Sequence, residues 1–158
     1  LVTASSAEKL TYCERLGADF GINYREEDLA ARVRELTSGR GADLILDVVG
    51  AKYLGVNLKA LAVGGRLVVI GLQGGTRAEL DLGVLLAKRA RVIGTTLRPR
   101  PAAEKAKIVQ ATGARVLPLL VSGQLKLNVS KTFNFSELTS AHEYFDSGKH
   151  TGKIVIAM

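Results

Sequence analysis

Hydrophobic and polar positions change places along this chain with a regular beat. "LVTA" is apolar and β-branched and reads as a strand. "SAEKLTYCERLGA" puts Leu10, Cys13 and Leu16 at helical spacing, with Ser5 or Ser6 as N-cap and Gly17 at the stop. "DFGINY" is a short strand. "REEDLAARVRELTSGRG" is amphipathic through Leu29, Val33 and Leu36, with acids in its first turn and glycine at its end. "ADLILDVVG" is a near-continuous apolar run, the pattern of a strand buried on both faces. "AKYLGVNLKALAVGG" reads as a helix ending at Gly64-Gly65, and "RLVVIGL" as a second fully buried strand. "DLGVLLAKRA" predicts a helix and "RVIGTTL" a third such strand.

Such β-α alternation with short connections predicts a parallel sheet with crossover helices on its faces. The expected fold is α/β, a Rossmann-like doubly wound parallel sheet. After Leu97 the beat changes. Two prolines and a basic cluster interrupt the chain in "RPRPAAEK", and "AAEKAKIVQATGARVLPLLVSG" follows as one helix, or as two broken near Gly113 and Pro118. "KLNVSKTFNF" alternates as a strand, "SELTSAHEYFDSG" reads as a helix capped by Ser136, and "KIVIAM" is a last strand. The domain reading is a partial nucleotide-binding domain over 1–125 and a strand-helix-strand over 126–158.

Composition narrows this picture. Hydrophobic residues make up 47% and aromatics 5% with no Trp, so the core is aliphatic. The net charge of +7 does not indicate nucleic acid, because the densest basic stretches, "AKRARV" and "LRPRPAAEKAK", hold no aromatic for a base to stack on. An anionic small ligand is compatible with it. The one cysteine, Cys13, suggests a reducing compartment, and the expected location is the cytoplasm, with no membrane partner.

The chemistry sits at strand ends. In a doubly wound sheet an acid after the second strand bonds the ribose hydroxyls of NAD, whereas a 2′-phosphate needs hydroxyls and cations. "TASSAEK" supplies Thr3, Ser5, Ser6 and Lys9, and its only acid, Glu8, lies a turn into the helix. These residues suit NADP if this strand is the second; they equally suit a helix cap beside a solvated lysine. Tyr24 ends the next strand, where its ring could face the same phosphate. Val49 and Gly50 end "DVVG", and Gly71, Leu72 and Gln73 end "VIGLQGG". Glycine recurring at successive strand ends lets a ligand approach the backbone. Neither His142 nor His150 has a partner constellation, and no G-x-G-x-x-G, nucleophile elbow, Walker loop or metal cluster is present. No catalytic residue and no metal ligand is assigned.

Together, "VTASSAEKLTYCERLGADFGINYREEDL", "GADLILDVVGAKY", "GGRLVVIGLQGG" and "HEYFDSGKHTGKIVI" resemble the zeta-crystallin-like NADPH:quinone oxidoreductases of the medium-chain dehydrogenase/reductase superfamily. The spacing between the TAxS turn and the NY dipeptide is similar to that of the p53-inducible type. The resemblance implies that the chain corresponds to the C-terminal, cofactor-binding part of such an enzyme, without the GroES-like catalytic domain, the first βα unit and its glycine turn. The segment over 126–158 would then return to the catalytic domain. The implied reaction is hydride transfer from NADPH to a small quinone or enone, with the fragment itself inactive. Alternatives are an enoyl-thioester reductase of the same superfamily, or a non-catalytic nucleotide-binding or dimerisation module.

By resemblance, Ser6 and Lys9 grip the 2′-phosphate with Ser5 and Tyr24 beside them. Val49 and Gly50 form the wall near the middle of the cofactor, and Ile70, Gly71 and Leu72 pass its nicotinamide half. Lys153 of the terminal Gly-Lys pair lies close by. The resemblance also implies a homodimer paired through the edge strand 91–97. A strand made to sit beside a central first strand would be left without it, so the sheet is expected to show a gap, to take in another chain there, or to carry a disordered edge. Without the turn that binds pyrophosphate, the chain alone is expected to hold NADPH weakly or not at all. Isothermal calorimetry checks this, and a micromolar Kd contradicts it.

Overall fold

Three helices begin on a side chain that accepts one of the otherwise unpaired first N–H groups. Ser6 accepts from the Lys9 N–H at 3.4 Å, Asp28 from Ala31 at 3.0 Å and Asp81 from Val84 at 3.0 Å. In the computed structural model, which describes residues 1–158, these caps set the starts of α1 (Ala7–Arg15), α2 (Leu29–Leu36) and α4 (Leu82–Ala87). The strands between them are β1 (Val2–Ala4), β2 (Gly21–Asn23), β3 (Ala42–Asp47), β4 (Leu61–Val69) and β5 (Arg91–Gly94). A 3₁₀ turn, Ala51–Tyr53, leads into α3 (Leu54–Ala60), which precedes β4. All of these lie in one unit, Leu1–Pro99. A second unit, Arg100–Met158, holds α5 (Ala102–Val121), β6 (Val129–Asn134), α6 (Leu138–Asp146) and β7 (Lys153–Ala157), with β6 and β7 paired in parallel.

The first unit is an α/β fold in which every strand pair is parallel and every strand connection carries a helix, as the alternation predicts. Its strands form two sheets, β1-β2 and β3-β4-β5. A doubly wound sheet has the order 3-2-1-4-5-6. The observed strands occupy that order from β2 and β1 on one side to β3, β4 and β5 on the other. The central position between β1 and β3 is a gap, as the sequence reading allowed. Register confirms which backbone faces it. The Asp47 carbonyl accepts from Ile70, and Asp47 pairs with Val69, so Ile45 and Asp47 face β4 while Leu44 and Leu46 face the gap. On the other side Val2 donates to the Phe20 carbonyl and Ala4 accepts from Tyr24, so Thr3 faces the gap.

Two apolar clusters hold the unit. Ile22, Ala30, Val33 and Ala60 form one, joining β2, α2 and α3, with Leu29, Ala42 and Ile45 packed against it. Leu58, Leu61 and Leu67 form the other, with Ile45, Val69, Val84 and Leu85 around them. Each buried leucine contributes about 1.5–3 kcal/mol. The Lys88 ammonium reaches across to donate to the Lys59 carbonyl at 2.7 Å and to that of Leu61, closing the C-terminal end of α3. Burial, and secondarily the nearby Arg34 charge, hold the Lys88 ammonium below the usual lysine range.

Several expectations are corrected. The helix over 51–65 ends at Ala60, and Leu61–Gly65 belong to β4, where Leu61 pairs with Ala42 across a register shift. The acids of "REED" precede α2; Glu27 instead accepts from the Asn23 N–H at 2.7 Å, tying off the turn after β2. Asn134, in a reciprocal box with Glu137, caps the segment leading into α6, rather than Ser136. The region over 102–121 is one helix with Pro118 inside it. β3 and β5 are not buried on both faces: Leu46 is 65% exposed, and all four residues of β5 are exposed.

Gly41 enters β3 with φ +89°, and a Cβ there would lie 2.8 Å from backbone atoms of Ala60, Leu61 and Ala62. Gly39, at φ +85°, has open space around it. Gly39→Ala is therefore expected to cost about 1–2 kcal/mol for the left-handed backbone alone, and Gly41→Ala at least roughly twice that. Urea unfolding of the two variants checks the difference, and equal losses would remove the steric argument.

Candidate functional site

The carboxyl ends of β3 and β4 are locked together by their own backbone. Asp47, 4% exposed, turns its carboxylate onto the chain that follows β3, accepting from the Val49 N–H at 2.7 Å and the Gly50 N–H at 3.1 Å. Gly50, at φ +79°, starts the 3₁₀ turn. The loop after β4 folds onto this turn: Gln73 donates to the Val48 carbonyl, Gly74 to that of Val49, and Ala51 to that of Gly75. A Cβ at Gly74 would come 2.6 Å from the Val49 side chain, and one at Gly71 2.7 Å from the Val48 carbonyl. Glycine is needed at both positions because the two loops touch.

This double turn forms one wall of a cavity of about 920 Å³. The cavity starts at the strand ends among Tyr24, Val49, Lys52, Tyr53, Gln73 and Gly74, and runs between β1 and β3 past Thr3, Ile22, Leu44 and Leu46. Asp47 and Lys52 are the only charged residues lining it. Tyr24 and Tyr53 meet edge to face at 6.2 Å and stand across its mouth. Burial pushes the Tyr53 phenol up, with the neighbouring Tyr24 adding to the effect. Tyr53 is therefore neutral at physiological pH.

The structure brings some of the expected site residues together and separates others. Tyr24 and Val49 line the cavity, with Gly50 in the turn beside it. Ile70, Gly71 and Leu72 follow β4 directly. The Ile70 N–H bonds the Asp47 carbonyl, Ile70 and Leu72 are exposed, and Leu72 lies against Gly50. Ser5, Ser6 and Lys9 sit in the turn after β1 and the first turn of α1. The Ser6 Oγ accepts the Lys9 N–H as the helix cap, a bond that uses a lone pair and not its O–H donor. Lys153 lies in the second unit, where it opens β7 and donates its N–H to the Asn128 carbonyl. Asp47, Lys52 and Tyr53 were not singled out from sequence. Asp47 had a signal, an acid closing an apolar strand two residues before a glycine, which is the pattern of a side chain folded back on its own turn.

The donor set fits a phosphorylated ribose at the end of β1: hydroxyls and a cation in the turn, with no acid at the strand end. It does not fit a metal ion, since no three His, Cys, Asp or Glu side chains come together. No helix is long and apolar enough to cross a membrane.

Known proteins are similar to this chain in sequence and fold. Residues 16–156 match the sequence profile described as zinc-binding dehydrogenase. The quinone oxidoreductase-like protein 2 homolog of Nematostella vectensis is 27% identical over 99% of this chain and 43% of its own length. The crystal structure of the quinone oxidoreductase of Pseudomonas syringae pv. Tomato is similar with a TM-score of 0.85 at 29% identity, covering 100% of this chain and 49% of that one. The Escherichia coli quinone oxidoreductase, solved in complex with NADPH, also gives 0.85, at 27% identity over 100% and 49%. The chain thus spans about half the length of the relatives it matches.

Asp47→Ala removes an acceptor from two backbone donors at the turn and is expected to cost about 1.5–3 kcal/mol. Asp47→Asn, which keeps one acceptor oxygen, should cost less. Urea unfolding reads both, and an Asp47→Ala variant as stable as the parent would contradict the role given to this carboxylate.

Proposed function

We propose that this chain, which belongs to the zinc-binding dehydrogenase family, is the cofactor-binding part of an NADPH-dependent quinone oxidoreductase of the zeta-crystallin-like type. The observation that carries the reading is the turn after β1. In the doubly wound order β1 stands second, where the residue at the strand end meets the adenosine ribose. Here that position offers Ser5, Ser6 and Lys9 with no acid at the strand end, a set that accepts a 2′-phosphate and gives NAD no ribose-binding carboxylate. The NADPH complex of the Escherichia coli relative supports the same choice.

In this reading each segment has one task. Ser6 and Lys9 hold the 2′-phosphate, with Ser5 and the α1 N-terminus supplying further hydrogen-bond donors. Tyr24, braced by Tyr53, gives the adenosine end an aromatic wall. Val49 and Gly50, fixed by Asp47, line the middle. Ile70, Gly71 and Leu72 give an apolar surface to the nicotinamide half and keep water from it. Bound NADPH supplies the hydride that a quinone or enone accepts. β5, paired on one side only and exposed along its length, is the strand through which two copies would pair as a homodimer.

2′,5′-ADP carries the deciding phosphate without the pyrophosphate link, so it tests the turn on this chain directly. It should shift the Ser6 and Lys9 amide resonances, whereas 5′-AMP should not. Lys9→Glu should weaken its binding about tenfold or more through loss of a charge-assisted contact. Equal responses to the two nucleotides, or an unaffected Lys9→Glu variant, would overturn the assignment.

A further inference from the structure

Two cations meet on one carbonyl where α3 runs into β4. Arg34, in the last turn of α2, donates from Nη2 to the Lys59 carbonyl at 3.2 Å, and Lys88, which follows α4, donates from Nζ to the same oxygen at 2.7 Å, so the two nitrogens lie within about 6 Å of each other. The Lys88 ammonium also donates to the Leu61 carbonyl. A helix end attracts a cation, yet α3 offers only about half an elementary charge there, against two. Burial, and then the Arg34 charge, hold the Lys88 ammonium below the usual lysine range, and the second cause is repulsion between the two groups. No acid answers them. Glu35, next to Arg34, pairs with Arg32 at 2.6 Å, and Asp43, in β3, pairs with Arg40 at 2.5 Å. Lys59 and Arg89 add two exposed cations beside them in the chain.

We propose that this cluster binds a small oxyanion of the phosphate class, with at least two negative charges, bridging the Arg34 guanidinium and the Lys88 ammonium. Most of the Arg34 N–H groups and one ammonium hydrogen of Lys88 have no acceptor in the chain. A guanidinium fork matches two oxygens of a phosphate, and an ammonium takes a third as a point charge. The bridge joins α2 to the junction of α3 and β4, where Val33 and Ala60 already pack, so a bound anion stiffens the contact between the two sheets. Lys88 and Arg89 belong to the basic stretch "AKRARV", to which the cofactor site gives no task. The two sites are also far apart. Asp47 closes β3 at the cofactor edge, whereas Ala42, paired with Leu61, opens it at this one. Six residues of strand span about 20 Å, more than twice the screening length of about 8 Å at physiological ionic strength. One small ligand does not serve both.

Inorganic pyrophosphate is the probe, with sodium chloride at equal ionic strength as its control. In NMR titrations the Lys59, Lys88 and Arg89 amides and the Arg34 Nε–H should shift saturably with pyrophosphate and not with chloride. Arg34→Gln keeps an amide donor for the Lys59 carbonyl and removes the charge. It should weaken this binding about tenfold or more, whereas Arg34→Lys should lose less. Pyrophosphate should also raise the urea midpoint of the parent chain and leave that of Arg34→Gln unchanged, since a ligand of the folded state stabilises it by mass action. A helix cap and nothing more gives the opposite pattern: Arg34→Gln lowers the midpoint with or without the anion, and pyrophosphate moves none of these signals. That pattern, shifts that never saturate, equal shifts in chloride, or an Arg34→Gln variant that still binds would each overturn the proposal. Lys9→Glu separates the two sites. It should leave the Lys59 and Lys88 shifts intact, and a change confined to Ser6 and Lys9 bears on the cofactor reading alone. Cosedimentation with phosphatidic acid vesicles, reversed by pyrophosphate and lost in Arg34→Gln, would assign the same site to a lipid headgroup, and no cosedimentation assigns it to a free anion.

Discussion

The two sheets of the first unit are joined by side-chain packing and by no strand-to-strand ladder. Ile22 from β2, Ala30 and Val33 from α2, and Ala60 at the end of α3 form the contact that keeps β1-β2 beside β3-β4-β5. Everything at the strand ends depends on this cluster. It fixes the distance across the gap, sets Tyr24 against Tyr53, and makes a single cavity out of two separate sheet edges. Backbone hydrogen bonds are directional and specify register, whereas apolar contacts tolerate small rotations. The unit therefore has well-determined halves and a softer relation between them.

The candidate site follows from the same geometry. A parallel sheet collects all of its strand ends along one edge, so short loops from β1, β2, β3 and β4 converge without any long insertion. Asp47 then rigidifies the most important of these loops from below, and the glycines of "GLQGG" let the next loop lie on top of it. The result is a wall with few charged groups, beside a turn rich in hydroxyls. Such a surface binds an elongated, partly anionic ligand by shape along its length and by charge at one end.

Much of this was legible in the sequence because it is local. Ser6 as a cap, the parallel α/β order, and the chemistry of "TASSAEK" each depend on residues a few positions apart. What was not legible depends on partners distant in sequence. "ALAVGG" has helical composition, yet Leu61 pairs with Ala42 and the strand wins. "ADLILDVV" has the pattern of a fully buried strand, yet β3 pairs along one edge only, with β4, and its leucines are exposed. Tyr53 escaped notice for the same reason: only the fold brings it to Tyr24.

The account turns on the open edge of β3, and native-state hydrogen exchange on the chain alone measures it most directly. The amides of Leu44 and Leu46 point into the gap, whereas those of Ile45 and Val68 pair across the β3-β4 ladder. Ile45 and Val68 should exchange about two orders of magnitude or more slowly than Leu44 and Leu46, which should exchange close to the rate of an unstructured chain. Leu44 and Leu46 amides as protected as that of Ile45 would mean that the edge is already paired, and would contradict the central claim that the sheet is divided beside β3.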